Sequence, residues 1–90
     1  MLLLDALGKR WTLRVLWELR DGRLSFRDLR SRCDDVSPTS LNARLKELRE
    51  LELVDLEESG FGYTVLGAEL GEHLLRLSSW SEKWDQQSRR

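Results

Sequence analysis

The residues best suited to chemistry in this 90-residue sequence lie between positions 36 and 49. Ser37 followed by Pro38 predicts a helix start, because a serine hydroxyl can accept a hydrogen bond from an early backbone N–H and proline fits the first helical position. At about 100° per residue, this helix buries a leucine face and carries small or polar side chains opposite it. Those side chains are Thr39, Asn42, Ala43 and Lys46, with Ser40 and Arg44 on the flanks.

The polar face of this helix has the size and chemistry that reading DNA requires. From Thr39 to Lys46 it spans roughly 10 Å at about 1.5 Å per residue, close to the major-groove width of about 12 Å. Asparagine can pair with two atoms of adenine, alanine can contact the thymine methyl group, and a helix N-terminus attracts phosphate. An ordinary amphipathic helix with a solvated face would have the same pattern. The neighbouring elements are therefore needed to distinguish a DNA-reading helix from an ordinary one.

The neighbouring sequence predicts a winged helix-turn-helix, which is a mainly α fold with a small β-hairpin. Ser25 and Asp28 fit a capping box, and Asp34-Asp35 provides the turn between the two helices of the motif. Alternating apolar and polar residues on both sides of Ser59-Gly60 predict two short strands, as in a wing. The expected bounds are about 2–7, 10–20 and 25–33 for the first three helices, 25–51 for the helix-turn-helix, 53–65 for the wing and 67–87 for the C-terminal dimer helix.

Length and composition narrow the class of protein. Ninety residues with 40% hydrophobic and 34% charged side chains predict one winged-helix DNA-binding domain over residues 1–90. No apolar run approaches the ~20 residues of a membrane span, and the start lacks the basic region of a signal peptide, so we expect a cytoplasmic protein. One cysteine and one histidine argue against a disulfide framework or a metal site. No catalytic set or phosphate loop is present, so neither an enzyme nor a cofactor is expected.

The charge distribution leaves two interpretations open. Residues 1–50 carry 11 basic and 8 acidic side chains, a balance of +3, whereas residues 51–90 carry 4 and 8, a balance of −4. The basic first half allows an anion-binding face on a protein whose net charge is −1. Asp55, Glu57 and Glu58 make the wing acidic, which favours the alternative of a winged-helix protein–protein interaction module that has lost DNA binding.

Several local motifs follow one another in a specific order. They are Gly8-Lys9-Arg10-Trp11-Thr12-Leu13, Phe26-Arg27-Asp28-Leu29, Val36-Ser37-Pro38, Arg44-Leu45-Lys46-Glu47-Leu48, Leu53-Val54 and Tyr63-Thr64-Val65. In order and spacing the chain resembles the HxlR-type winged-helix transcriptional regulators, bacterial and archaeal relatives of the MarR group, over about residues 4–84. The resemblance implies a DNA-binding regulator that works as a homodimer, with its first and last helices in the dimer contact.

The chain departs from the pattern of this family at several positions. It lacks the Cys that members usually carry before the first helix, and Asp34-Asp35 replaces the usual Pro-Gly of the turn. Leu66 stands where a Thr usually caps the last helix. No Lys or Arg occurs from Glu50 to Leu75, which argues against minor-groove contact by the wing.

Together, these features predict a homodimeric repressor whose helix over 37–51 enters the major groove of double-stranded DNA. No motif indicates a small-molecule effector, although the four tryptophans allow either an effector pocket or simple packing. Cys33 is either a core residue or a redox switch activated by neighbouring arginines.

The predicted DNA-binding residues are Ser37, Pro38, Thr39, Ser40, Asn42, Ala43, Arg44, Lys46, Arg27 and Arg30. The predicted dimer-interface residues are Leu2, Leu3, Leu4, Leu7, Leu77, Trp80 and Trp84.

Overall fold

The computed structural model describes residues 2–89, and over this range it contains five helices and one two-stranded antiparallel hairpin. The predicted fold class, mainly α with a small hairpin in the winged helix-turn-helix order, is confirmed. The elements are α1 Leu2–Leu7, α2 Thr12–Glu18, α3 Phe26–Arg32, α4 Pro38–Glu50, β1 Val54–Glu57, β2 Gly60–Tyr63 and α5 Val65–Ser88.

The buried core lies where α2, α3 and α4 meet, and the leucine stripe of α4 forms one side of it. Leu41, Leu45 and Leu48 are 0%, 2% and 0% exposed, as their four-and-three spacing predicts. They belong to the same apolar cluster as Leu16 of α2 and Leu29 of α3. Complete burial of a leucine contributes roughly 1.5–3 kcal/mol, so this stripe determines which face of α4 points outward.

The turn between α3 and α4 is made by two aspartates in the left-handed region, with φ of 56° at Asp34 and 55° at Asp35. Aspartate tolerates this region better than most residues because its short side chain can bond locally. Arg14 donates to the carbonyl of the last residue of α3 at 2.6 Å, and Nε of Arg30 donates to the Val36 carbonyl at 2.7 Å. The turn therefore forms without glycine, and hydrogen bonds from two arginines stabilise the backbone before and after it.

The second helix is shorter than the predicted 10–20. It begins at Thr12 because Trp11 lies in the left-handed region, with φ 77° and ψ −16°, and so cannot be a helical residue. Tryptophan enters this region at a cost of roughly 1–2 kcal/mol, which packing of its half-buried indole against the core offsets. The segment before α2 is consequently a sharp turn rather than a first helical turn.

The wing pairs β1 with β2 over four residues, beginning with Val54 opposite Tyr63. Leu24, from the connection between α2 and α3, adds a strand-like contact through two backbone hydrogen bonds with Phe61 of 3.0 and 2.9 Å. Gly60 has φ 121°, and a Cβ there would overlap the Leu24 carbonyl. The wing is therefore attached to the helical part by backbone pairing at a position that requires glycine.

The last helix begins earlier than the predicted residue 67. Thr64 is its N-cap, and its Oγ1 accepts a hydrogen bond from the Gly67 N–H at 3.0 Å. The expectation that Leu66 occupies the cap position was wrong, because the capping threonine is present two residues upstream. The wing correspondingly ends at Tyr63 rather than at Val65.

Candidate nucleic-acid interface

The outer face of α4 carries all four residues that the sequence placed there. Thr39, Asn42, Ala43 and Lys46 are exposed, while the leucine stripe on the opposite side is buried. This difference between the two faces follows directly from the helical period. The exposed face offers one amide, one hydroxyl, one methyl group and one ammonium group, which together match the donor, acceptor and methyl pattern of base edges in the major groove.

The N-terminus of α4 has the predicted cap. The Ser37 hydroxyl accepts a hydrogen bond from the Ser40 N–H at 3.2 Å and donates one to Ser40 Oγ at 2.9 Å. Pro38 occupies the first helical position. Because Ser37, Pro38 and Ser40 are all exposed, the positive end of the helix dipole faces solvent and is accessible to a phosphate.

The three predicted arginines differ in how freely they can meet a ligand. Arg27 is exposed and forms no ion pair with residues 2–89. Arg30 is half-buried and already donates from Nε to the turn, which leaves only its terminal nitrogens for a phosphate. Arg44 is half-buried, its Nε is buried without a hydrogen-bond partner, and among residues 2–89 no acid pairs with it. An ion pair with a neighbouring acid would compete with a phosphate contact at Arg44, and over residues 2–89 there is no such pair.

Lys46 lies at the border between α4 and the wing. It lines a surface depression together with Arg49 and with the acidic side chains of Glu52 and Asp55. Lys46 itself forms no ion pair with residues 2–89. The acidic neighbours lower the positive potential on the wing side of Lys46. Its potential is therefore more positive toward the α4 face than across the depression.

The wing is less repulsive toward DNA than its own sequence indicates. Arg23 pairs with Asp55 at 2.6 Å and with Glu57 at 3.2 Å, and it also donates to the Gly60 carbonyl at 2.9 Å. The absence of basic residues within the wing is thus offset by an arginine from the α2–α3 connection. Sequence reasoning missed Arg23 because its partners lie more than 30 positions away and no local motif links them.

A remaining acid in the turn is expected to weaken DNA binding. Asp35 lines a shallow cleft with Arg27, Arg30 and Pro38, and its exposed carboxylate forms no ion pair with residues 2–89. Asp35→Asn should tighten binding about threefold per half-site, because unit charges about 7 Å apart in water repel by roughly 0.6 kcal/mol. Asparagine also accepts the left-handed conformation, so the melting temperature should not change.

Fluorescence anisotropy with a labelled duplex at 100 mM salt measures this effect. Glu72→Gln, which neutralises an exposed acid on α5, is the matched control and should leave the affinity unchanged. Equal affinity of Asp35→Asn and the unmodified chain would mean that the turn lies far from the phosphates.

Both ends of the described chain expose large apolar side chains. On α1, Leu2, Leu3 and Leu4 are 75%, 37% and 58% exposed, and on α5 Leu77, Trp80 and Trp84 are 55%, 57% and 56% exposed. Isolated exposed leucines are ordinary, but α1 has three exposed leucines and α5 has further exposed apolar residues at Val65, Leu66 and Leu75, and clustered exposed apolar side chains are typical of interaction surfaces. Leu7 differs, because it is half-buried and packs against the core of its own protomer.

The only cysteine of the chain is sealed inside the helical core. Cys33 is 0% exposed, and burial raises the pKa of its thiol, while Arg14 opposes that rise. The arginines expected to activate it, Arg30 and Arg32, are not among the groups that shift its pKa. A protonated, inaccessible thiol reacts slowly, which favours the core interpretation over the redox interpretation.

Residues 2–89 contain neither a metal-binding cluster nor a membrane-spanning helix. No group of three or more His, Cys, Asp or Glu side chains in this range has an arrangement that could hold a metal ion. No helix in it is both long enough and apolar enough to cross a membrane.

Comparison with known proteins identifies the family. The profile of the HxlR-like helix-turn-helix family matches residues 6–89. A curated relative, an uncharacterized HTH-type transcriptional regulator of Methanocaldococcus jannaschii, is 30% identical over 83 residues, which cover 88% of this chain and 78% of the relative.

Solved structures agree with that assignment. The structure of quinone-bound YodB from B. subtilis superposes with a TM-score of 0.82 at 27% identity, covering 90% of this chain and 92% of that one. A structure described as a possible HxlR family transcriptional factor from Thermoplasma volcanium also gives a TM-score of 0.82, at 28% identity, covering 93% and 82%. These comparisons do not favour the alternative of a protein–protein interaction module. The chain belongs to the HxlR-like helix-turn-helix family and is a DNA-binding transcriptional regulator.

Proposed function

We propose that this regulator acts as a homodimeric repressor that inserts α4 into the major groove of its operator. The observation that carries the proposal is the contrast between the two faces of α4. Its leucine face is at most 2% exposed, whereas Thr39, Asn42, Ala43 and Lys46 all face outward. A helix held so firmly by its core face presents its polar face in a fixed orientation, which base reading requires.

Within this proposal the DNA-binding residues have three different tasks. Asn42 and Ala43 read base edges, since an asparagine pairs with adenine and an alanine methyl packs on the thymine methyl. Thr39 and Lys46 extend this face along the groove. The N-terminal residues Ser37, Pro38 and Ser40 hold a phosphate against the end of the helix, and Arg27 with the free nitrogens of Arg30 adds backbone contacts that position the protein without reading sequence.

The proposed dimer joins the exposed apolar residues of α1 and α5 across a two-fold axis. In an isologous interface each residue is used twice, so Leu2, Leu3, Leu4, Leu77, Trp80 and Trp84 bury a large area from few positions. Two copies of α4 can then reach successive major grooves roughly 34 Å apart. A dimer covering that length of a promoter represses by excluding polymerase.

Base reading by Asn42 is tested with one variant on two duplexes. Asn42→Ala should weaken binding to a selected operator by about 1–3 kcal/mol, or roughly 5- to 150-fold, and leave binding to a scrambled duplex almost unchanged. Gln86→Ala, which removes an exposed amide from α5, is the matched control and should alter neither affinity. Equal losses on both duplexes would show that Asn42 contacts the backbone rather than a base.

A further inference from the structure

A small cleft at the edge of the α4 face has no assigned role. It has a volume of about 310 Å³ and lies between the turn before α2 and the first two turns of α4. Two of its lining residues, Thr39 and Ala43, also belong to the outward face of α4, so the cleft opens at the border of that face. Its lining residues are Arg10, Trp11, Thr39, Ser40, Ala43 and Arg44.

Both charged residues of the lining, Arg10 and Arg44, are positive. The lining contains two guanidinium groups and two hydroxyl groups, and no acidic side chain lies among the residues that form it. Arg10 is exposed and forms no ion pair with residues 2–89. The buried Nε of Arg44 has no hydrogen-bond partner within the same range. Two arginines that line one cleft without an acidic partner favour an anion there, because charge-assisted hydrogen bonds from guanidinium to phosphate are strong.

The position of Arg10 is determined by its two neighbours in the chain. Lys9 pairs with Glu47 of α4 at 2.5 Å, and this ion pair joins the turn to α4. Trp11 packs its half-buried indole against the core and adopts the left-handed conformation with φ 77°. The Arg10 guanidinium carbon lies 5.6 Å from the centre of the Trp11 ring, so the indole supports it from one side. Arg10 is thus presented at the cleft by a turn that is attached at both ends.

We propose that this cleft binds a backbone phosphate of the DNA, with Arg10 and Arg44 as its cationic groups and the Thr39 hydroxyl as an additional donor. This inference rests on the proposed function, because it adds to it a second anchor beside the N-terminus of α4. Arginine and threonine are common donors to phosphate oxygens. DNA is favoured over an acidic peptide because the cleft is continuous with the face that carries Asn42 and Lys46, and a strand following the groove passes its edge. Such a contact positions α4 and carries no sequence information.

The test compares Arg10→Gln with Arg76→Gln, which removes the same charge from an exposed position on α5. Binding is measured by fluorescence anisotropy between 50 and 200 mM salt on both a selected operator and a scrambled duplex. For Arg10→Gln, the slope of log K against log salt should become shallower by about 0.9 for each phosphate lost, hence by nearly 2 for a dimer. At 0.1 M salt this change in slope corresponds to a loss of binding affinity of roughly eightfold for each phosphate contact removed. The loss should be equal on both duplexes. Arg76→Gln should change neither quantity.

Arg10→Lys provides the second variant, because it retains the charge and should restore most of the slope. An unchanged slope for Arg10→Gln, a loss confined to the operator, or failure of Arg10→Lys to restore the slope would each overturn the assignment of a phosphate. A circular dichroism spectrum and a melting curve for each variant establish that the fold is intact. Failure of the unmodified chain to bind either duplex would instead overturn the proposed function.

Discussion

Replacing Trp80 with glutamate is expected to turn the proposed dimer into folded monomers. Trp80 is 57% exposed in the protomer, so its replacement removes little of the protomer's own packing. In the proposed two-fold interface the indole appears twice, and interface tryptophans contribute about 2–4 kcal/mol each when truncated. Two carboxylates in an apolar seam add a desolvation cost. Sedimentation velocity at micromolar concentration should show a single species of 10.6 kDa.

DNA binding by Trp80→Glu should fall together with dimerisation. A dimer presents its second α4 at a high effective concentration, and loss of this linkage reduces affinity for a two-half-site operator by roughly 10²–10⁴. Affinity for a single half-site should be nearly unchanged. Val65→Glu is the matched control for the oligomeric state, because it places the same charge at a 79% exposed apolar position at the other end of α5. A Trp80→Glu protein that remains dimeric would contradict an interface through this part of α5.

Replacing Gly67 with alanine is expected to destabilise the protein by about 3 kcal/mol or more, despite the higher helix propensity of alanine. Gly67 is buried in the first turn of α5, and a Cβ there would overlap the carbonyl oxygen of Leu53. That carbonyl is backbone and accepts a hydrogen bond from the Thr64 N–H at 3.2 Å, so it cannot move without disturbing the cap. A loss of about 3 kcal/mol corresponds to a fall in Tm of roughly 12–24 °C in a domain of this size.

Gly8→Ala is the matched control for this change. A Cβ at Gly8 would lie 3.3 Å from the Leu4 carbonyl oxygen, which is tight but needs only a small adjustment. Its Tm should therefore fall by a few degrees at most. Both variants are melted at the same protomer concentration, because the proposed dimerisation would make Tm depend on concentration. Similar melting temperatures for the two variants would show that α5 does not approach the α4–β1 junction this closely.

Most elements of the fold are predictable because they have a local cause in the sequence. Leu41, Leu45 and Leu48 define the core face of α4 by spacing alone, and Ser37-Pro38 defines its first turn. The cap of α5 was misplaced because capping by Thr64 depends on tertiary contacts as well as on sequence. The Thr64 hydroxyl also donates to the Glu52 carbonyl at 2.6 Å, twelve residues away.

The surroundings of the candidate site were less predictable, because they depend on pairs of residues that are distant in sequence. The exposure of Asn42 and Lys46 follows from helical geometry, but the pairing of Arg23 with Asp55 joins two elements that no local pattern relates. Arg10 likewise follows Lys9, which pairs with Glu47 across 38 positions, another contact that no local pattern relates. The periodicity of the sequence predicts which face of a helix is exposed. Ion pairs between separate elements can be identified only once the fold is known.

The measurement that most directly tests DNA binding is the salt dependence of binding to a labelled random duplex. Fluorescence anisotropy from about 50 to 200 mM salt reports both affinity and the number of phosphates contacted. We expect a micromolar or tighter Kd at 50 mM salt, weakening by about 10³ or more across this range for a dimer with at least six phosphate contacts. A folded dimer that fails to bind at 50 mM salt, or whose affinity does not depend on salt, would contradict the account.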